Sequence, residues 1–188
     1  MLDLKVQQNF NVHHELASRT RDAHQSLHHH PLISQLVSPS LTANGYQMIL
    51  SCYHGFFQSV ETRREQYAYW AEFSLQSHIE NLQKDLRYYS IDQEKRPSIS
   101  LDWLQCKVSI LGALYVLHGS GFGARVIAKQ LNNTLPEHPH HFFSQNTNKR
   151  HWQQLLNNLS LAVDTEHRFE LLVSSAQNTF YTLGRTVK

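Results

Sequence analysis

Cysteine, charge of one sign and long apolar runs are all scarce in this chain. Its two cysteines, Cys52 and Cys106, form no C-x-x-C pair, and no arginine-led apolar segment opens the sequence, so a reducing, cytoplasmic setting is expected rather than export. Seventeen basic and fifteen acidic residues leave a formal net charge of +2, scattered rather than clustered. That balance makes no electrostatic case for nucleic acid or for a membrane surface. No apolar run approaches the ~20 residues needed to cross a bilayer. Internal repeats, low-complexity linkers, sustained heptads and persistent strand alternation are missing too. What is present is a chain of 188 residues, 40% hydrophobic and 17% charged, which fits one globular domain over 1–188 with a sizeable core. Fourteen histidines are its compositional oddity.

Apolar residues recur at helical spacing along most of the chain. A first periodic segment runs from Leu4 to His29, with Phe10, His13, Leu16, Ala17, Thr20, Ala23, His24 and Leu27 along one face, and Pro31 ends it. Pro39, Ser40, Thr42, Asn44 and Gly45 punctuate a turn, after which Tyr46, Ile49, Tyr53, Phe56 and Val60 mark a helix reaching about Trp70. Leu75, Ile79, Leu82 and Leu86 make a third. Residues 91–100 have the proline and charge of an exposed connection, and a long helix follows from Leu101 to about Asn132. A break at Pro136 to His141, a short amphipathic piece around Phe142 and Phe143, and helices near 148–162 and 165–186 complete an irregular all-α bundle.

The most specific signal lies inside that long helix, where Gly119, Gly121 and Gly123 fall within five residues. Each interior glycine costs about 1 kcal/mol of helix stability relative to alanine, so three together call for a kink or for close approach of a flat ligand to bare backbone. The second signal is His24. It lies four residues after Thr20, seven after Ala17 and three before Leu27, which predicts an imidazole on the buried side, while His14 and His28 fall with Ser18, Arg21 and Gln25 on the polar side. A neutral imidazole facing an apolar cavity can ligate haem iron; a hydrogen-bonded core histidine is the alternative at such a position.

Leu16, Thr20 and His24 read as L-x-x-x-T-x-x-x-H, and Gly112, Leu114, Tyr115, Val116, Gly119, Ser120 and Gly123 read as G-x-LYV-x-x-G-S-x-x-G, with Ala124 next. On these residues the chain resembles the haem oxygenase family, in particular its compact bacterial members associated with bacteriophytochromes. Asp85, Leu86, Ala176 and Phe180 are weaker echoes. The resemblance implies an all-α haem oxygenase-like bundle that uses dioxygen and an external electron donor, such as a reductase, ferredoxin or flavodoxin, to convert haem to biliverdin, carbon monoxide and ferrous iron. A bacteriophytochrome would be a possible acceptor of the biliverdin. It further implies His24 as the iron ligand, with Thr20 beside it, and Gly119, Ser120 and Gly123 as the distal residues. Arg21, with Arg125 and Lys129 as weaker candidates, would hold the propionates, and Tyr115 would reach the pocket or fill the core.

Two positions depart from the pattern: Ser120 stands where animal members carry aspartate, and His118 where bacterial relatives often carry an acidic residue. Helix phase turns His118 about 100° from Gly119, which favours a structural role. A non-catalytic haem or bilin binder on the same fold is the rival reading. The tracts His28–His30 and His138, His140 and His141 have the composition of adventitious metal sites or of solvated helix ends. A ferritin-like di-iron centre is disfavoured, because the single E-x-x-H, Glu137 to His140, contains Pro139.

Overall fold

Four side-chain oxygens fix helix starts: Asn11 accepts from the His14 amide, Thr42 from Gly45, Asn148 from Arg150 and His151, and Thr165 from Arg168. Each satisfies amide groups that a first helical turn leaves without partners. The computed structural model describes residues 11–90 and 99–187, and eight α-helices lie among them. They are α1 (Val12–Arg19), α2 (Arg21–His28), α3 (Ala43–Gln66), α4 (Gln76–Tyr88), α5 (Lys107–Gly119), α6 (Gly121–Thr134), α7 (Lys149–Ala162) and α8 (Glu166–Thr186), with 3₁₀ turns at Ile33–Val37 and Ala71–Phe73. The predicted start at Leu4, the face position of Phe10 and most of the connection at 91–100 lie outside the described residues.

Four boundaries differ from the periodic pattern. The first segment is two helices that meet at Thr20, whose backbone stays in the right-handed region but opens to φ −101° and ψ −1° and whose hydroxyl donates to the Leu16 carbonyl at 2.8 Å. α3 stops at Gln66, four residues short of Trp70, since Ala68 and Trp70 both take left-handed backbone, at φ 52° and 56°. That turn is pinned by Arg64, which donates to the Tyr69 carbonyl, and by the Trp70 indole, which donates to the Lys107 carbonyl. The glycine-bearing segment starts at Lys107 rather than Leu101, after an extended Cys106 whose amide donates to the Ser109 hydroxyl. Phe142 and Phe143 form a turn instead of a short helix. The fully buried Asp85 holds that turn by accepting the His141 and Phe142 amides at 2.8 and 2.9 Å, which carries both phenyl rings into the core.

α5 is the central rod. Its sequence is apolar on every side, and Val108 through Leu117 are buried except for the half-buried Tyr115. α8 crosses it most closely at Gly112, where a Cβ would lie 2.8 Å from the Leu172 carbonyl oxygen and 2.9 Å from the Ser175 Cβ. The Ser175 hydroxyl donates to the Ser109 carbonyl across the same crossing. α3 packs on α4, and between them the buried Glu61 accepts two hydrogen bonds from Arg64, at 2.8 and 2.9 Å, and others from the Ser74 hydroxyl and the Leu75 amide. α5 and α6 together, Lys107–Thr134, are long and apolar enough to cross a membrane by composition, which the sequence pattern did not suggest. Half of that apolar window is buried inside the protein, as in a core helix.

Candidate functional site

α1 and α2 are backed by one stripe of α8. Arg19 pairs with Glu170, Gln177 donates to the Arg19 carbonyl, His24 packs on Phe180 with ring centroids 5.3 Å apart, and Leu27 faces Gly184, its Cδ1 3.5 Å from where a Cβ would sit. The partners on α8 recur at intervals of seven, three and four residues, the spacing of a helix face. The buried line of α1 and α2 is Val12, Leu16, Thr20 and Ala23. His24 lies on its edge rather than within it and is exposed, contrary to the buried side expected from phase alone, because Ala23 takes the inward position. Thr20 is buried at the joint between α1 and α2, with its hydroxyl donating to the Leu16 carbonyl.

The Nε2 atom of His24 stands 3.0 Å from the Nε2 of His28. Helix phase alone sets His28 on the polar side; its four-residue spacing from His24 is the signal that places the two imidazoles together. Contact with α8 withdraws part of the His24 ring from water, and this burial, followed by the neighbouring His28, lowers its pKa and favours the neutral imidazole.

The three clustered glycines have three different surroundings. A Cβ on Gly119 would lie 3.2 Å from the edge of the Trp152 indole, and one on Gly121 would lie 2.8 Å from the Thr147 hydroxyl. At Gly123 nothing lies within 4 Å. The shared ligand-facing surface expected for Gly119 and Gly123 is therefore divided: the helix breaks between them at Ser120, the last residue of one cap and the first of the next, and only Gly123 faces open space. Ser120 is exposed and donates its hydroxyl proton to the Leu117 carbonyl at 2.7 Å. Around Gly123 the side chains of Phe122 and Val126 are 49% and 65% exposed, an uncovered apolar strip at the start of α6. α6 and α2 both rest on the 3₁₀ turn Ile33–Val37 and do not pack extensively on each other.

Tyr115 packs against α1 and α7. It stacks on Trp152 at 5.4 Å and meets His13 edge-on at 5.9 Å, and Phe122 closes the cluster against Trp152 at 5.3 Å. Burial raises the pKa of the Tyr115 phenol. Its place is thus aromatic packing, the core role that its stripe also allowed, and Trp152, on a helix distant in sequence, is the partner that periodicity could not reveal. His118 points into the protein, where its Nε2 lies 3.0 Å from the Phe73 carbonyl and its ring lies between His78 and His151. This is the structural role expected from its phase. Arg21, Arg125 and Lys129 are exposed and form no ion pair among the described residues.

No protein-family model matches the chain, and comparison with curated proteins finds no match. Solved structures do. The chain is similar to haem oxygenase-1 of the cyanobacterium Synechocystis, determined in complex with haem, at 14% identity and a TM-score of 0.75 over 95% of this chain and 91% of that one. It is also similar to the haem oxygenase of Leptospira interrogans, at 16% identity and a TM-score of 0.74 over 95% of this chain and 98% of that one. The fold is that of haem oxygenases.

Proposed function

We propose that this chain binds haem between α2 and α6 and cleaves it oxidatively to biliverdin, carbon monoxide and ferrous iron. The observation that carries this reading is the open flank of Gly123 beside the uncovered Phe122 and Val126, in a fold shared with haem oxygenases. Bare backbone with apolar neighbours fits a large flat apolar molecule, and a neutral imidazole on the other helix fits its iron.

His24 would be the iron ligand. Its lowered pKa keeps the Nε2 lone pair available at neutral pH, and His28 gives up its hydrogen bond to that atom when the ligand arrives. Arg21 and Arg125, cationic and without protein partners among the described residues, would hold the propionates. Gly123 would let the α6 backbone approach the ring face; Gly119 and Ser120 would act through the joint that aims α6. Ser120, whose hydroxyl donates a hydrogen bond to the Leu117 carbonyl, keeps oxygen lone pairs with which to orient water. When bound, haem supplies the iron and the redox chemistry that activates dioxygen, with electrons from an external reductase, ferredoxin or flavodoxin.

A second reading, a haem or bilin binder without turnover, is favoured by one observation: the hydroxyl at Ser120 replaces a carboxylate and is already engaged within its own helix. Adding ascorbate or a reductase system to the hemin-loaded protein under air separates the two. Oxygenase activity converts the Soret band to the broad red absorption of a bilin and releases carbon monoxide, whereas a persistent haem spectrum leaves the binder.

A further inference from the structure

We infer that His24 and His28 form a bidentate site for a divalent transition-metal ion, best suited to Cu²⁺, in the haem-free protein. The two Nε2 atoms are 3.0 Å apart on successive turns of α2, with their ring centroids at 4.4 Å and the ring planes 83° apart. With metal–nitrogen bonds of roughly 2.0–2.1 Å, that separation corresponds to a nitrogen–metal–nitrogen angle of about 95°. This is close to the right angle of square-planar and octahedral centres; a tetrahedral angle needs a separation of about 3.3 Å, so the spacing admits either geometry and the affinity order of the divalent ions selects copper. Imidazole suits copper, and divalent-ion affinity for nitrogen sites peaks there.

Both side chains are exposed, so ring rotation can turn the two lone pairs to a common point and water can fill the remaining positions. The nitrogens share a hydrogen bond, with one donating and the other accepting, so metal binding breaks that bond and shifts the donor ring's proton to its own Nδ1, leaving both imidazoles neutral. No third histidine, cysteine or carboxylate converges on the pair among the described residues, which makes the site a two-ligand chelate rather than a closed cage. The same Nε2 of His24 is the atom that the haem reading gives to iron. On that reading copper and haem are mutually exclusive, whereas the chelate stands without it.

The test uses the full, tag-free chain without haem, titrated with Cu²⁺ and followed by calorimetry and electron paramagnetic resonance, beside His24→Ala and His28→Ala. The expected result is one tight site, with nitrogen hyperfine structure, whose affinity falls about tenfold or more in each variant. A loss in neither variant, or in one alone, overturns the chelate. Should circular dichroism show an alanine variant disordered, His24→Gln and His28→Gln take its place. Preloading with Cu²⁺ should slow hemin uptake by the parent chain and leave uptake by His28→Ala unchanged; equal uptake by the parent with and without copper overturns the shared nitrogen. A chain that takes up no hemin defeats the haem reading, while the copper titration still decides the chelate.

Discussion

Trp152 of α7 covers the bare face of Gly119 on α5, its indole edge 3.2 Å from where a Cβ would sit. The same ring stacks on Tyr115 and meets Phe122 and His13, so one side chain ties the central helix, the start of α6 and α1 to α7. Trp152→Ala should therefore lower stability by about 2 kcal/mol, less than a fully buried tryptophan because the ring is half-exposed. Thermal unfolding of the haem-free protein measures the loss.

Substituting the glycines should separate packing from ligand binding. Gly112→Ala drives a methyl into the Leu172 carbonyl and Ser175, and overpacking of this kind costs about 1–3 kcal/mol. Gly123→Ala meets nothing and should stabilise the haem-free chain by up to about 1 kcal/mol through helix propensity. Gly123→Leu should keep that fold and lose hemin affinity. Melting curves and hemin titrations of the three variants check the pattern.

Glu61 and Arg64 form a buried pair that also anchors Ser74 and the Leu75 amide. Removing Glu61 leaves the buried Arg64 with only the Tyr69 carbonyl and the exposed Glu65, 3.7 Å away, and orphans two donors, so Glu61→Ala should cost about 3 kcal/mol, measurable by denaturant unfolding. The exposed Arg19–Glu170 pair should be nearly neutral when broken.

Acid should weaken the fold through the histidine cluster. Burial lowers both His78 and His118 to about 4 from the ordinary 6.5, and the neighbouring imidazoles, His118 and His151 beside His78 and His151 beside His118, lower them further. A folded-state pKa below the unfolded one means that folding favours the neutral ring. Stability from these groups is complete above about pH 6.5 and is lost as pH falls toward about 4. The His78→Gln/His118→Gln variant should show a flatter dependence of melting temperature on pH across that window than the parent chain.

Much of the architecture was legible because long amphipathic periods survive in the sequence: α3, α4, α7 and α8 lie close to their expected places. The elbow at Thr20 was not, since the apolar period runs through it and the break depends on one hydroxyl turning back to Leu16. The glycine cluster announced a kink but not its division, because whether Gly119 meets an indole or a ligand depends on where α7 lies. The pairing of His28 with His24 is legible in their four-residue spacing, but the polar neighbours Arg21 and Gln25 mask it in the face pattern. Trp152 and the left-handed turn at Ala68 and Trp70 are tertiary features without a local pattern.

The most direct test is a hemin titration of the parent chain and of His24→Ala, read by the Soret band and by electron paramagnetic resonance, with and without added imidazole. The expected result is one hemin per parent chain with an axial histidine signature. His24→Ala should lose that signature and bind about tenfold or more weakly, and imidazole should restore the spectrum. Hemin binding to His24→Ala with parental affinity and an unchanged spectrum would contradict the assignment of iron to α2.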